Sequence, residues 1–251
     1  VTIPNLRMNE KYVFACAAYN PQERLINNIG QTGDEIGAVQ PLPMNLIFTY
    51  LAQTAYQVGY YELSEEASHK AASYFSEKTG IKDREQDYVE NPLYLRRLKS
   101  KAVKGYSQNE LRMGAINFII HARCLQRKYK EAEKNSKTPL IPIQKQRNTL
   151  HVCNYLLMAL ELAQITKAYP IAKRIIKELY NDVLPFLTFK TKSKFIYQIL
   201  SRAQLVLCQI PKELWDGAIR NCSVKITYEI LKMTQQINEI RFSKIVLYHD
   251  S

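Results

Sequence analysis

The sequence predicts a mainly α-helical fold with a short β-hairpin at its start, and three observations support this prediction. From about residue 43 onward, apolar residues recur every three or four positions in segments rich in Leu, Ile, Ala, Lys and Glu. The 251 residues contain only 8 Gly, fewer than the many turns of an all-β domain would require. Residues 12–19 alternate instead with the two-residue period of a strand. We therefore divide the chain into a β-region, 1–40, and a helical region, 41–251.

The predicted β-hairpin consists of two apolar runs, 12–19 and 25–32, separated by a polar turn. Leu6 precedes Tyr12 by six residues, and this spacing resembles the penultimate strand of a fibronectin type III domain. The resemblance implies a tyrosine corner, in which Leu6 packs beneath Tyr12 and the tyrosine hydroxyl bonds back to the upstream backbone. Because no earlier strands of such a domain precede this stretch, we expect the chain to be a piece of a longer protein.

The helical region opens with two helices, predicted over 43–58 and 61–78. Pro43 stands at the start of the first helix and Gly59 just past its end, the usual arrangement of these residues at helix termini. Two helices joined by so short a turn must form an antiparallel hairpin. The face that the first helix buries is predicted from apolar residues three or four positions apart, namely Ile47, Leu51, Ala55 and Val58.

A tyrosine followed three residues later by a small residue occurs at three predicted helix corners. We expect each ring to wedge between two helices and each small residue to let the helices approach. This layout resembles the tetratricopeptide repeat, which implies an irregular α-solenoid of antiparallel hairpins. The tyrosines are irregularly spaced, so a helical bundle in which they recur by chance is the alternative. The three pairs are Tyr61 with Ser64, Tyr129 with Ala132, and Tyr169 with Ala172.

Further helices are predicted over 193–209 and 212–238, where apolar residues keep the helical period. Residues 91–104 and 107–126 are candidates for an additional helix pair. The segment 242–248 fits either a strand or a helix end.

The net charge of +12 is concentrated in residues 91–150, which hold 14 Lys and Arg but only 3 Asp and Glu. This block would attract an acidic partner, such as nucleic acid, an acidic protein surface or the acidic tails of tubulin. A solvated helical surface without a dedicated ligand is the alternative. The candidate contact residues are Arg96, Arg97, Lys99, Lys101, Lys104, Arg127, Lys128 and Lys130.

We find no catalytic motif in the sequence: a glycine-rich phosphate loop, an HExxH helix and a nucleophile elbow are all lacking. The nearest approach to metal ligands is His121 with Cys124 and His151 with Cys153, which we interpret as ordinary helix residues. Dispersed cysteines and the lack of a long apolar run predict a reduced, intracellular chain without a membrane span. We expect a non-catalytic protein without cofactor, metal or small-molecule substrate.

Two short stretches carry a more specific resemblance. Residues 6–15 read Leu-Arg-Met-Asn-Glu-Lys-Tyr-Val-Phe-Ala, and residues 53–59 read Gln-Thr-Ala-Tyr-Gln-Val-Gly. Their combination resembles the cilia- and flagella-associated protein 54 family, very large scaffolds of the central-pair apparatus of motile cilia. The resemblance implies a cytoskeletal role in the axoneme, in a large hetero-complex with other central-pair proteins. Tubulin and calmodulin are further candidate partners. The alternative is a helical-repeat protein that binds nucleic acid through residues 91–150.

Overall fold

Eight α-helices account for most of the described chain, as the apolar periodicity predicts. The structure is a computed structural model, and it describes residues 11–37, 42–78, 96–135, 142–188 and 194–237. The chain divides into two compact units, Val1–Pro43 and Met44–Ser251.

The first unit contains an antiparallel hairpin whose two strands are very short. Strand β1 (Lys11–Tyr12) pairs with β2 (Ile36–Gly37), so that Tyr12 lies opposite Ile36. Seven positions separate Tyr12 from Tyr19, whereas eleven separate their partners Ile36 and Leu25. The second arm therefore bulges, and only isolated hydrogen bonds join the arms between these pairs.

This hairpin extends further than the sequence predicted, since its second arm reaches Gly37 rather than ending at residue 32. Asn27, Asn28, Gly30 and Gly33 explain the weak pairing, because Asn and Gly are poor strand formers. Leu6 lies outside the described residues, so the tyrosine corner stays a prediction.

The second unit begins with helices α1 (Met44–Val58) and α2 (Tyr61–Phe75), which form the expected hairpin. Helix α2 was predicted to continue to residue 78, and this was wrong. Residues Ser76–Lys78 form strand β3, which pairs antiparallel with β4 (Arg96–Leu98). The helix ends because the Ser76 hydroxyl donates to the carbonyl of Ala72 at 2.9 Å, while Lys99 donates its amide to the carbonyl of Phe75.

The remaining helices follow in chain order. They are α3 (Ser100–Gly105), α4 (Gln108–Asn135), α5 (Pro142–Ile165), α6 (Tyr169–Thr188), α7 (Lys194–Leu207) and α8 (Gly217–Ile237). The single helix predicted over 212–238 is divided into a 3-10 turn, Lys212–Leu214, and α8. The break arises because the Asp216 carboxylate caps α8 by accepting the amide of Ile219 at 2.7 Å.

Helix α5 lies at the centre of the second unit. All nine residues from 152 to 160 are buried, which requires packed neighbours on every side of the helix. Helices α4, α6 and α7 provide these neighbours. Gly114 on α4 lets Phe75 of α2 and Leu162 of α5 approach, because a Cβ at this position would lie 2.9 Å from the Phe75 ring.

The predicted buried face of α1 was wrong except at Ala55. Ile47, Leu51 and Val58 are 41%, 40% and 65% exposed. The small residues Ala52 and Ala55 determine the orientation instead, because they allow α2 and α4 to pack closely against α1. The buried face consists of Asn45, Leu46, Thr49, Ala52 and Ala55.

Candidate interaction surfaces

The corner between α1 and α2 is a Schellman turn. Gly59 adopts a φ of 93°, its amide donates to the carbonyl of Tyr56, and the Tyr60 amide donates to the carbonyl of Ala55. A positive φ favours glycine, which has no Cβ to clash with the following carbonyl. Helix α2 then starts at Tyr61.

The corner between α5 and α6 repeats this hydrogen-bond pattern without a glycine. Lys167 takes the place of Gly59 with a φ of 50°, and its amide donates to the carbonyl of Gln164. The Ala168 amide donates to the carbonyl of Ala163, and α6 starts at Tyr169. The two turns share four backbone hydrogen bonds at matching positions. The predicted residues Tyr61 and Tyr169 therefore occupy equivalent places in two corners.

The small residues of both corners are buried. Ala172 is 1% exposed, and Ser64 is completely buried. The Ser64 hydroxyl donates to the carbonyl of Ala52 at 2.8 Å, and the thiol of Cys124 lies 3.4 Å from it. One serine thus connects α1, α2 and α4, and burial raises the pKa of the Cys124 thiol.

The corner predicted at Tyr129 and Ala132 does not form. Helix α4 continues through Tyr129 and Ala132 to Asn135, because residues 126–135 are good helix formers without Gly or Pro. Tyr129 has a different contact: its hydroxyl lies 2.6 Å from Nδ1 of His151 on α5.

Several basic residues of the block 91–150 form contacts within the molecule. Lys99 donates to the carbonyl of Ser73, and Lys128 forms an ion pair with Glu65 at 2.8 Å. Arg127 stacks on the Tyr61 ring, with its guanidinium carbon 3.5 Å from the ring centre.

Arg127 also pairs with Glu131 at 2.7 Å. Lys104 and Lys130 are exposed. Arg96 and Arg97 lie in β4, and Lys101 lies in α3. The block is therefore a mixture of internal contacts and exposed charges, and part of its positive charge is neutralised by acids on the same surface.

A cleft at the junction of α4, α5 and α6 was missed by the sequence analysis. We call it the Asp182 cleft. It encloses about 260 Å³. Its lining residues are Ala122, Arg123, Gln126, Val152, Leu156, Glu178, Asn181 and Asp182. The signal that could have revealed it is the acidic pair Glu178 and Asp182, which are four residues apart and therefore lie on one side of the helix.

Two polar contacts connect α4 with α6 in this cleft. Arg123 forms an ion pair with Glu178, which also accepts a hydrogen bond from Arg174. The side-chain amide of Gln126 donates to Oδ1 of Asp182 at 3.0 Å. Burial, and to a smaller extent the nearby charge of Glu178, raise the pKa of Asp182 to about 6.

The two histidine–cysteine pairs have separate surroundings. Nδ1 of His121 lies 2.9 Å from the Ser68 hydroxyl, and His151 contacts Tyr129. Cys153 is fully buried, which raises its thiol pKa. Across the five described ranges, no three His, Cys, Asp or Glu residues are arranged to hold a metal ion. None of the described helices is both long and apolar enough to cross a membrane.

Comparison with known proteins gives two informative similarities and no matching family model. The chain is 28% identical over 215 residues to human cilia- and flagella-associated protein 54. It is 27% identical over 216 residues to the mouse protein of that name. Each alignment covers 83% of this chain but only 7% of the relative, so the chain spans a small part of the curated relatives' length. These similarities support a family relationship with cilia- and flagella-associated protein 54.

Proposed function

We propose that this chain is part of a non-catalytic structural scaffold of the ciliary axoneme and binds neighbouring proteins through the surfaces of its helices. The observation that carries the proposal is the similarity over 83% of the chain to two proteins named as cilia- and flagella-associated. We place the protein in the cytoskeleton of the cilium or flagellum, as a component of a large hetero-complex needed for ciliary assembly and motility.

The packing of the helices supports a scaffold built as a solenoid. When the short α3 is left out of the count, each described long helix packs chiefly against the helices that lie one or two positions before or after it in the chain. In repeat proteins each unit contacts only its neighbours, and the array presents long surfaces for binding partners. The shared turn geometry at Tyr61 and Tyr169 favours two related helical hairpins of tetratricopeptide type.

The assignment to a central-pair projection is what the resemblance of residues 6–15 and 53–59 implies. Other central-pair proteins, tubulin and calmodulin are the proposed partners. A fibronectin type III module before the helices belongs to the same proposal.

Fractionation of cilia tests this proposal. The full protein, tagged in cells that build motile cilia, should remain with the microtubules after detergent removes the membrane and the soluble matrix. A matched variant, Leu162→Asp, places a charge at a completely buried position and should lose this retention because the helices no longer pack. Release of the unaltered protein with the soluble matrix would contradict the proposal.

The nucleic-acid alternative is tested with the same protein. Dedicated binding requires an affinity that falls steeply with salt and that disappears after charge reversal of Lys99, Lys101 and Lys104. We expect weak binding that is little changed in this triple variant, because Lys99 is already bonded to the backbone of α2.

A further inference from the structure

Helix α1 leaves an apolar face uncovered. Helices α2 and α4 pack against the side with Ala52 and Ala55, whereas the other side is exposed. Not one of the 15 residues of α1 is charged, although 23% of the residues in the chain are. An exposed helix face is ordinarily polar or charged, so an apolar one is suited to contact with another protein. We call this surface the α1 face, and it consists of Met44, Ile47, Tyr50, Leu51, Thr54 and Val58.

The spacing along the α1 face is that of a surface on which a second helix packs. Met44, Ile47, Leu51, Thr54 and Val58 follow one another at alternating intervals of three and four residues. This alternation is the heptad period with which one helix lies along another. The period therefore favours a helix as the occupant of the face over a loop or an extended strand.

The two matched corners identify the part of α5 that corresponds to the α1 face. Their four shared hydrogen bonds make each residue of α1 equivalent to the residue 108 positions later, as Lys167 is to Gly59. Gln57 lies beside the α1 face, and both this residue and its equivalent, Ile165, are exposed. The equivalents of the α1 face, in contrast, are all buried, and they are Val152, Tyr155, Met158, Ala159, Leu162 and Thr166.

Helix α4 covers this part of α5. The ring centres of Tyr155 and His121 of α4 are 4.5 Å apart. A Cβ on Gly114, earlier in α4, would lie 3.1 Å from Cδ1 of Leu162, later in α5, so the two helices run antiparallel. At the place equivalent to the α1 face, the molecule thus already carries an antiparallel helix.

We propose that the α1 face binds an antiparallel helix of a partner protein, in the place that α4 takes on α5, and that the contact side of this helix is apolar and uncharged. The proposed function, on which this inference rests, thereby gains the chemistry of one partner contact. An acidic surface would suit the basic block 91–150 but not α1, because α1 has no charge to compensate the burial of an acid.

Photo-cross-linking in intact cells identifies the occupant of the α1 face. The photoreactive residue p-benzoylphenylalanine replaces one residue at a time in the full protein, in cells that build motile cilia, and the cells are irradiated before fractionation. Gln57 is the matched control position, because its equivalent Ile165 is exposed. We expect every face position, but not Gln57, to link to one segment of another protein, at sites that descend by three or four residues as the α1 residue number rises. The substituted face positions are Ile47, Leu51, Thr54 and Val58.

Other cross-linking patterns would overturn the proposal. These are links to a second copy of this chain, links to another part of the same chain, links without the helical order, equal links from Gln57, and no links at all. The fractionation separates this proposal from the proposed function. Protein that is released with the soluble matrix but gives the ordered links refutes the proposed function alone, whereas protein that is retained without links refutes the helix site alone.

A matched pair of substitutions provides a second criterion. Thr54→Lys places a charge in the middle of the α1 face, and Gln57→Lys places the same charge beside it. Both residues are exposed, so neither change should lower the urea midpoint of the isolated 251-residue chain. We expect Thr54→Lys to abolish the links from Ile47 and Val58, and Gln57→Lys to leave them unchanged. Links that survive Thr54→Lys would overturn the proposal, and the order of the links without either substitution decides it whether or not a variant folds.

Discussion

Gly114 offers the sharpest test of how the helices pack, because two opposing effects predict opposite signs for the change in stability caused by Gly114→Ala. Replacing a helix-interior glycine with alanine alone stabilises a helix by about 1 kcal/mol. At this position, however, the new Cβ would lie 2.9 Å from Cε1 and Cζ of Phe75 and 3.1 Å from Cδ1 of Leu162. Both side chains are almost completely buried, and the Phe75 ring also packs edge-on against Tyr106 and Phe118.

Overpacking of this kind costs roughly 1–3 kcal/mol. We therefore expect Gly114→Ala to destabilise the helical unit by about 1 kcal/mol in urea unfolding, with an unchanged m-value. Gly217→Ala is the matched control, since its Cβ would meet no atom within 4 Å, and we expect a change below about 0.5 kcal/mol.

A double-mutant cycle with Phe75→Leu separates the contact between residue 114 and the Phe75 ring from other effects of the Gly114→Ala substitution. The smaller side chain should relieve the clash, so Gly114→Ala should cost at least about 0.5 kcal/mol less in this background. If Gly114→Ala instead stabilises the protein by about 1 kcal/mol, the close approach of α2 and α5 at Gly114 is refuted.

Three further predictions concern single sites. Gly59→Ala should destabilise the protein by about 1 kcal/mol, because residue 59 has a positive φ, whereas Lys167→Gly should leave stability unchanged or raise it. Equal losses of stability in thermal unfolding of the two variants would contradict the matched turns. Asn154→Leu should stabilise by about 1–3 kcal/mol, because its buried amide has no hydrogen-bond partner among the described residues, and a loss in urea unfolding would contradict this. Because the pKa of Asp182 is raised in the folded state, the folded chain holds this proton more tightly than the unfolded chain, and the free energy of unfolding falls as pH rises from about 4 to 6. Asp182→Asn should remove this fall and raise Tm at pH 7.5. A pH profile of stability that is the same in the variant would contradict this prediction.

Local signals in the sequence predicted the helices and one corner correctly in outline. Pro43 and Gly59 mark the ends of α1 because each has a direct effect on the backbone. The corner before Tyr169 carries no such signal, since Lys167 adopts its positive φ only within the packed turn.

Tertiary contacts explain what the sequence analysis missed. The apolar period of α1 pointed to Ile47 and Leu51, but close packing selected the face with Ala52. The Asp182 cleft depends on the contacts of Arg123 with Glu178 and of Gln126 with Asp182, residues far apart in sequence that meet only through packing of α4 and α6.

Cross-linking of intact axonemes tests the scaffold proposal most directly. Lysine-reactive cross-linking and mass spectrometry should join exposed lysines of this chain, such as Lys104 and Lys130, to other axonemal proteins at reproducible positions. The account predicts such intermolecular links in the detergent-extracted axoneme. Links confined to the chain itself, with the protein present in that fraction, would contradict a scaffold role.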